Sequence, residues 1–301
     1  MDSVTRSQKK LGWSILFCCL IVSTGCADSA EQSAEQSAES SAGPSIVTSI
    51  VTSIDPSVEP GDAGLVLPIA PTAQKTPIPD FSSMVDVKVK KQKFFDYLHA
   101  RTRKSNDRIW AEREYVLNFR ESFEQSKVTD QELADFSKLV DRYGLELPDQ
   151  LDAAFFRSLL ERVDVVPASL VLAQGANESG WGTSRFAREG RNFFGIWCYS
   201  EGCGLKPRSR TSGAKHEVRK FSTVQENVSF YMHNINIGHA YEELRGMRAQ
   251  LREDEERLSG VHLAEGLIRY SERGAAYIKE IRQLISQNDL ARYNTHRAES
   301  D

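Results

Sequence analysis

One carboxylate, Glu178, stands where a long apolar segment of the sequence ends. It lies in the stretch "NESGWGTSRFA", directly after "PASLVLAQGA". Gln174 lies four residues after Leu170, and Asn177 and Glu178 lie three and four residues after Gln174. One side of the predicted helix therefore changes from apolar to polar toward its C-terminal end. Because Gly180 and Gly182 are predicted to end this helix, the carboxyl group should be delivered to the rim of a rigid, partly buried element.

Such a position suits acid catalysis. A carboxyl group beside Trp181 and above an apolar helix body has its charged form disfavoured by desolvation, so we expect the pKa of Glu178 to be raised. A raised pKa keeps the group protonated near neutral pH, as a general acid requires. The residues by themselves leave a solvated glutamate at a helix end as the alternative.

The longer segment "LAQGANESGWGTSRFAREGRNFFGIWC" resembles the central motif of the β-N-acetylglucosaminidases of glycoside hydrolase family 73. It is most similar to the Bax-type proteins, which share the mannosyl-glycoprotein endo-β-N-acetylglucosaminidase-like domain. The resemblance covers Leu151 to about Leu290. It implies a lysozyme-like, predominantly helical α+β fold, in which a helical lobe faces a small β-lobe across a cleft that binds peptidoglycan glycan.

The resemblance also implies roles for residues of the motif. It places the family's catalytic acid at Glu178, which would protonate the leaving glycosidic oxygen. Asn177 is a candidate for contact with the substrate. Asn192 and Gly195 match the "N-x-F-G" turn, which would shape the floor of the cleft.

Four aromatic residues are further site candidates. Trp181 and Trp197 offer apolar surfaces for sugar rings, with packing in the core as the alternative. Tyr270 and Tyr277 match the family's "Y-x-x-x-x-x-x-Y" segment. The resemblance implies a substrate-binding hydroxyl at Tyr270 and a catalytic one at Tyr277, and the alternative is that both tyrosines only pack between helices.

A second carboxylate is harder to assign. Glycoside hydrolysis commonly uses two, and their separation determines the stereochemical outcome. The resemblance favours Glu217, in the strand-like segment "HEVRKF"; Glu201 is the alternative, and a site that uses neither is also open. Glu226 is interpreted as structural, because it falls off the apolar stripe of a helix that Ser222 and Gln225 are predicted to cap.

The predicted activity is therefore hydrolysis of the β-1,4 bond after N-acetylglucosamine in peptidoglycan, without a cofactor or metal. A lytic transglycosylase on the same fold needs only one acid and stays open. So does a non-catalytic peptidoglycan-binding protein, although the intact Glu178 argues against it. An amidase is least favoured, because the sequence lacks an evident zinc-ligand set or Cys–His pair.

Two regions flank the predicted domain of residues 151–290. Residues 81–150 have the apolar periodicity of helices, including the capping-box sequence "TDQE" and a helix end at Gly144. Nothing there has catalytic spacing, so we interpret this region as a helical support or a partner-facing module. Residues 291–301 are predicted to be a polar tail.

Residues 1–25 have the organisation of a bacterial export signal. Basic residues precede about a dozen mostly apolar ones, a stretch too short to span a bilayer comfortably. The ending "VSTGC" resembles a lipobox, although Ser23 stands where Leu is usual. We therefore expect Cys26 to be acylated and the protein to be anchored to a membrane in the cell envelope; a plain signal peptide is the alternative.

Residues 26–80 have the composition of a disordered tether. Between Ala27 and Asp80 there is no aromatic residue and one Lys, but seven of the ten prolines. Such a segment cannot bury enough apolar surface to offset the entropy of ordering it. It would hold the folded domain away from the membrane surface; a small β element at residues 46–54 is the alternative.

The last two cysteines and the net charge indicate the redox compartment and the kinds of partner. Export would place Cys198 and Cys203 in an oxidising compartment, so we expect a disulfide, with a zinc site that includes His216 as the weaker alternative. The net charge is −4 at pH 7. Nucleic acid is not an expected partner, because its recognition requires a concentrated basic face. The expected partners are peptidoglycan glycan strands and a membrane.

Overall fold

The structure, a computed structural model, describes residues 77–208 and 216–294. All of them belong to one compact unit of the chain. The predicted export signal, Cys26 and most of the predicted tether lie outside the described residues. In the part of the chain that is described, no helix is both long and apolar enough to cross a membrane.

The fold is α+β and predominantly helical, as predicted. Within the described residues, nine α-helices are present: α1 Val87–Glu124, α2 Asp130–Arg142, α3 Ala153–Arg162, α4 Ala168–Ser179, α5 Arg185–Gly190, α6 Val224–Ile237, α7 Glu242–Glu253, α8 Gly260–Leu263 and α9 Ala275–Gln287. Three short strands are β1 Trp197–Cys198, β2 Gly204–Leu205 and β3 Glu217–Arg219. Short 3-10 helices cover His239–Tyr241, Ala264–Leu267 and Leu290–Tyr293.

The long helix α1 packs directly on α4, the helix that carries Glu178. A Cβ atom added at Gly175 would lie 2.5 Å from Cδ2 of Leu98, so the two helices cross at a glycine. Phe94 and Leu98 of α1 are fully buried in the same core as α4. Residues 81–150 therefore share apolar cores with the predicted catalytic region, and the boundary at 150 stays a prediction.

Helices α2 and α3 close a second apolar cluster against the C-terminal half of α1. The buried members of this cluster are Val116, Phe119, Phe136, Leu139, Val140, Tyr143, Phe156, Leu159 and Val163. The predicted capping box is present: Thr129 Oγ1 accepts from the Glu132 N–H, and the Glu132 carboxylate accepts from the Thr129 N–H. Gly144 follows α2 with a left-handed φ of +65°, as its glycine predicts.

The start of α4 is held from the far end of the chain. Pro167 occupies the N-cap position and supplies no side-chain hydrogen bond. Asn294 Oδ1 instead accepts from the Ser169 N–H at 2.9 Å. Tyr293 also packs against the core and donates to Asp96 Oδ1 at 3.2 Å. The first residues of the predicted polar tail, through Asn294, therefore take part in the folded region, and its remaining residues lie outside the described ones.

The small sheet has the order β1-β3-β2, and both pairings are antiparallel. Trp197 pairs with Val218, and Cys198 pairs with Glu217. A disulfide joins Cys198 to Cys203 and closes the loop between β1 and β2. Because both thiols are used in this bond, they are not available as the zinc ligands of the alternative interpretation.

Helix α6 begins one residue later than the cap prediction requires. Thr223, rather than Ser222, accepts from the Glu226 N–H through its hydroxyl, at 3.0 Å. The Glu226 carboxylate accepts from the Ser222 N–H at 2.8 Å. The structural interpretation of Glu226 is therefore confirmed. Gln225 does not cap the helix but donates to the Arg101 carbonyl of α1 at 3.1 Å.

Candidate active site

The C-terminal end of α4 is fixed by close backbone contacts. Gly180 follows the helix with a left-handed φ of +56°, and the Ser179 hydroxyl donates to the Gly175 carbonyl at 2.6 Å. The same hydroxyl accepts from the Gly182 N–H at 2.8 Å. A Cβ atom at Gly182 would lie 2.5 Å from a ring carbon of Phe81. Tight packing on both sides therefore leaves the end of the helix, and Glu178 on it, in one position.

Glu178 is partly exposed at this helix end and accepts a hydrogen bond from the Tyr277 hydroxyl, 2.9 Å from Oε1. The pKa of Glu178 is raised to about 7, and burial is the largest cause of the rise. The nearby Glu280 charge also raises this pKa, whereas hydrogen bonds from Tyr277 and Asn177 and the charge of Arg273 lower it. Desolvation exceeds the stabilising contacts, so a substantial fraction of the carboxyl group is protonated at neutral pH. The predicted rise in pKa is thus found.

Two charged residues of the site were not anticipated from the sequence. Arg273 precedes α9, and Glu280 lies on α9 one turn after Tyr277. Arg273 Nη1 lies 2.8 Å from Glu280 Oε2, and both side chains are partly exposed. The spacing of Glu280 from Tyr277, three residues on a helix, is the signal that would have placed it beside Glu178.

Two uncharged side chains behind Glu178 also take part in the site. Gln174, which is fully buried, donates through Nε2 to the Tyr277 hydroxyl at 3.1 Å. Tyr231 of α6 donates through its hydroxyl to Gln174 Oε1. Gln174 lies one turn before Glu178, and helical spacing in the sequence already placed it on the same side of the helix. Tyr231 lies on the apolar stripe of α6, where no local signal separates it from core residues.

The "N-x-F-G" turn is organised by the side chain of Asn192. Its Nδ2 donates to the carbonyls of Ile196 and Arg219, at 2.8 and 3.0 Å. Its Oδ1 accepts from the backbone N–H of Phe194 and Ile196. Asn192 is only 1% exposed, so in this structure it shapes the turn, and a contact with a sugar stays a prediction. Gly195 follows with a left-handed φ of +66°.

The two candidate tryptophans have different surroundings. Trp181 packs edge-on against Phe94 and Phe95 of α1, with ring centroids 5.7 and 5.3 Å apart, so the core alternative describes it well. Trp197 lies on β1 and is partly exposed. Its ring stacks on the ring of His216, with centroids 3.9 Å apart and an interplanar angle of 8°. The structure therefore leaves Trp197 as the stronger candidate for stacking on a sugar.

The predicted second carboxylates both lie in the β-lobe. Glu217 is only 2% exposed, and its Oε2 accepts from the Gly204 N–H at 2.9 Å. This contact ties β3 to the start of β2. Glu201 is exposed in the loop that the disulfide closes. The structure thus gives Glu217 a role within the sheet, and its catalytic role stays a prediction.

Tyr270 packs beside the site rather than opening into it. It is buried and stacks on Tyr277 with ring centroids 5.1 Å apart. Its hydroxyl points to the Phe194 carbonyl at 3.4 Å. Burial raises the pKa of Tyr270 well above its ordinary value, so the hydroxyl stays neutral. In this structure the ring of Tyr270 supports Tyr277, and its contact with substrate stays a prediction. Across residues 77–208 and 216–294, no cluster of three or more His, Cys, Asp or Glu residues could hold a metal ion.

Comparison with known proteins gives the family. The Glucosaminidase family, described as mannosyl-glycoprotein endo-β-N-acetylglucosaminidase, matches residues 153–290. Protein bax of Escherichia coli (strain K12) is 31% identical to the chain over 206 residues, which are 68% of this chain and 72% of that protein. The chain belongs to the Bax-type glucosaminidase-domain family. No solved structure matches it significantly. Membership of the Bax-type family supports a glycosidase-type enzyme. The residues that the family model matches run from α3 to α9 and include Glu178 and Tyr277.

Proposed function

We propose that the protein cleaves the β-1,4 glycosidic bond after N-acetylglucosamine in peptidoglycan, with Glu178 as the general acid. The observation that carries this proposal is the environment of Glu178: a rigid helix end, partial exposure, a hydrogen bond from Tyr277 and a pKa of about 7. A carboxylic acid in that state can protonate a leaving oxygen at neutral pH. The family supports a glucosaminidase reaction.

In the proposed reaction, the proton of Glu178 passes to the glycosidic oxygen as the bond from that oxygen to the anomeric carbon breaks. Water then adds to the anomeric carbon and gives up a proton. Trp197 provides an apolar ring face for a sugar, held flat by His216. Glu217 is our candidate for the base that accepts the proton from water.

A second candidate function is that of a lytic transglycosylase. It is favoured by one observation: Glu217 is buried and already hydrogen-bonded to the Gly204 backbone. A site with Glu178 as its single acid would let a hydroxyl of the sugar itself displace the leaving group. Both reactions cut the same glycan but leave different new ends.

The test is mass spectrometry of the soluble products from purified sacculi incubated with the full chain, Glu178→Gln, Glu217→Gln and Glu201→Gln. We expect reducing N-acetylglucosamine ends from the wild type, none from Glu178→Gln, a reduced yield from Glu217→Gln and an unchanged yield from Glu201→Gln. Anhydro-muramic ends would instead identify the transglycosylase. Binding of the wild type to sacculi without any product would indicate a non-catalytic peptidoglycan-binding protein.

The location of the protein is part of the proposal. Acylation of Cys26 would anchor it to a membrane in the cell envelope, and the segment before residue 77 would let the domain reach the cell wall. Labelling with a radioactive fatty acid should mark the wild type and not Cys26→Ser. Equal labelling of both, or recovery of the wild type in the soluble fraction, would contradict the anchor.

A further inference from the structure

Three buried side chains form a continuous hydrogen-bond chain that ends on Glu178. Tyr231 donates to Gln174 Oε1, Gln174 Nε2 donates to the Tyr277 hydroxyl at 3.1 Å, and Tyr277 donates to Glu178 Oε1 at 2.9 Å. Gln174, Tyr231 and Tyr277 are 0, 1 and 2% exposed. Water therefore does not compete for these groups, so each donor is bound to its partner in the chain.

The direction of the chain follows from the number of protons available. A tyrosine hydroxyl has one proton to donate. Because the Tyr277 oxygen accepts from the Gln174 amide, its own proton is directed to Glu178. The Gln174 amide nitrogen faces Tyr277 because the amide oxygen, Oε1, accepts a hydrogen bond from Tyr231 on the other side. Hydrogen bonds in such a row polarise and strengthen one another in a low-dielectric interior.

Packing holds both tyrosines of the chain. Tyr231 stacks on Phe194 of the "N-x-F-G" turn, with ring centroids 3.8 Å apart and an interplanar angle of 4°. Tyr277 stacks on Tyr270, whose hydroxyl points to the carbonyl of the same Phe194. The turn, α6 and α9 thus fix the rings from several sides, and only the hydroxyl and amide orientations remain to be set by the chain.

We propose that Gln174 and Tyr231 are positioning residues for Glu178. They hold the Tyr277 hydroxyl as a donor to Oε1, so that Oε2 carries the proton that the acid transfers. This inference deepens the proposed function and rests on it for the identity of the reaction. The orientation of the Glu178 carboxyl group is a property of the protein alone, and it is measured without substrate.

The first test is a double-mutant cycle on glycan cleavage. Gln174→Met removes the amide and keeps a side chain of similar length, and Tyr231→Phe removes the first donor. We expect each to lower kcat about tenfold, the effect of one hydrogen bond on a barrier, with little change in KM. In a Tyr277→Phe background, Gln174→Met should have no further effect on kcat. Effects that multiply in the double variant would overturn the proposal.

The matched control is Tyr241→Phe. Tyr241 is also a fully buried tyrosine, and its hydroxyl accepts from Asn234 Nδ2 at 3.5 Å rather than joining the chain. This variant should lose stability comparably to Tyr231→Phe while keeping wild-type kcat. Equal losses of kcat in Tyr231→Phe and Tyr241→Phe would reduce Tyr231 to a core residue and contradict its positioning role.

The second test does not depend on activity. NMR of protein with 13C-labelled glutamate carboxyls, with the Glu178 signal assigned from Glu178→Gln, reports the titration of that group directly. Arg273 and Glu280 are the charged groups that act on it. Burial and the charge of Glu178 in turn disfavour ionisation of Tyr231, Tyr241, Tyr270 and Tyr277, so these hydroxyls stay neutral.

Since the Tyr277 hydrogen bond lowers the pKa of Glu178, Tyr277→Phe should raise that pKa. Gln174→Met should raise it as well, and Tyr241→Phe should leave it unchanged. If Gln174→Met leaves the Glu178 titration unchanged, the positioning role is wrong even if the glycan is cleaved. If the titration shifts as expected but no glycan product appears, the proposed function fails and the positioning role stands. Tyr231→Phe provides the same measurement if Gln174→Met does not fold.

Discussion

The hydroxyl of Tyr277 lies 2.9 Å from Oε1 of Glu178 and donates a hydrogen bond to it across the contact between α9 and α4. The two residues are 99 positions apart in the chain. Burial raises the pKa of Glu178, and this hydrogen bond opposes the rise, so the value of about 7 reflects a balance.

The first prediction concerns the stability cost of Glu178. Its pKa is raised from 4.5 to about 7 in the folded protein, so folding favours the protonated form. Stability from this group is complete below pH 4.5 and is lost as the pH rises to about 7. Glu178→Gln should therefore stabilise the protein at pH 8 by up to about 3 kcal/mol, and hardly at pH 4. Urea unfolding at both pH values measures this difference.

The control for this measurement is Glu201→Gln, which removes an exposed carboxylate from the cysteine loop. Its effect on the free energy of unfolding should be small at both pH values. An equal effect of Glu178→Gln at pH 4 and pH 8 would show that Glu178 does not carry a raised pKa.

The second prediction concerns Glu280 and Arg273, which act on Glu178 with opposite signs. Glu280→Gln removes a negative charge, so the pKa of Glu178 should fall and the alkaline limb of the pH–rate profile should move to lower pH. Arg273→Gln should move the same limb to higher pH. Glu272→Gln, an exposed neighbour, is the charge control and should move neither limb. Shifts of the same sign in Glu280→Gln and Arg273→Gln would contradict this assignment.

The third prediction concerns the disulfide of the β-lobe. Cys198 and Cys203 close a loop with a sequence separation of 5. Replacing both with Ser should lower the free energy of unfolding by about 2 kcal/mol, the loop-entropy value for so short a loop. Thermal melts of the variant and of the wild type with and without reductant measure the effect. If the reductant also lowers the melting temperature of the variant, its effect on the wild type does not come from breaking this disulfide.

The fourth prediction concerns the crossing of α1 and α4. Gly175→Ala would place a methyl group 2.5 Å from Leu98 Cδ2 and should destabilise the protein by about 1–3 kcal/mol. Gly246→Ala on α7 is the matched control, because nothing lies within 4 Å of the added Cβ atom. It should stabilise the protein by roughly 0.5–1 kcal/mol through helix propensity. Destabilisation of both variants by the same amount would count against the close crossing.

The sequence predicted the elements of this protein because the relevant signals are local. Apolar periodicity and glycine stops placed α4 and its polar end, and the "TDQE" capping box placed the start of α2. Desolvation was the predicted cause of the raised pKa of Glu178, and burial is its largest cause in the structure. The quoted motif predicted the family that the comparisons show.

Only the tertiary structure decided how these elements meet. The cap that Asn294 gives to α4, the core shared by α1 and α4, and the burial of Asn192 and Tyr270 all depend on contacts between segments far apart in the chain. The hydrogen bonds that run from Tyr231 through Gln174 to Tyr277 also join distant segments, and so do the effects of Arg273 and Glu280 on Glu178. A hydrogen bond or an ion pair depends on distances between atoms, and residue spacing fixes those distances only within one element.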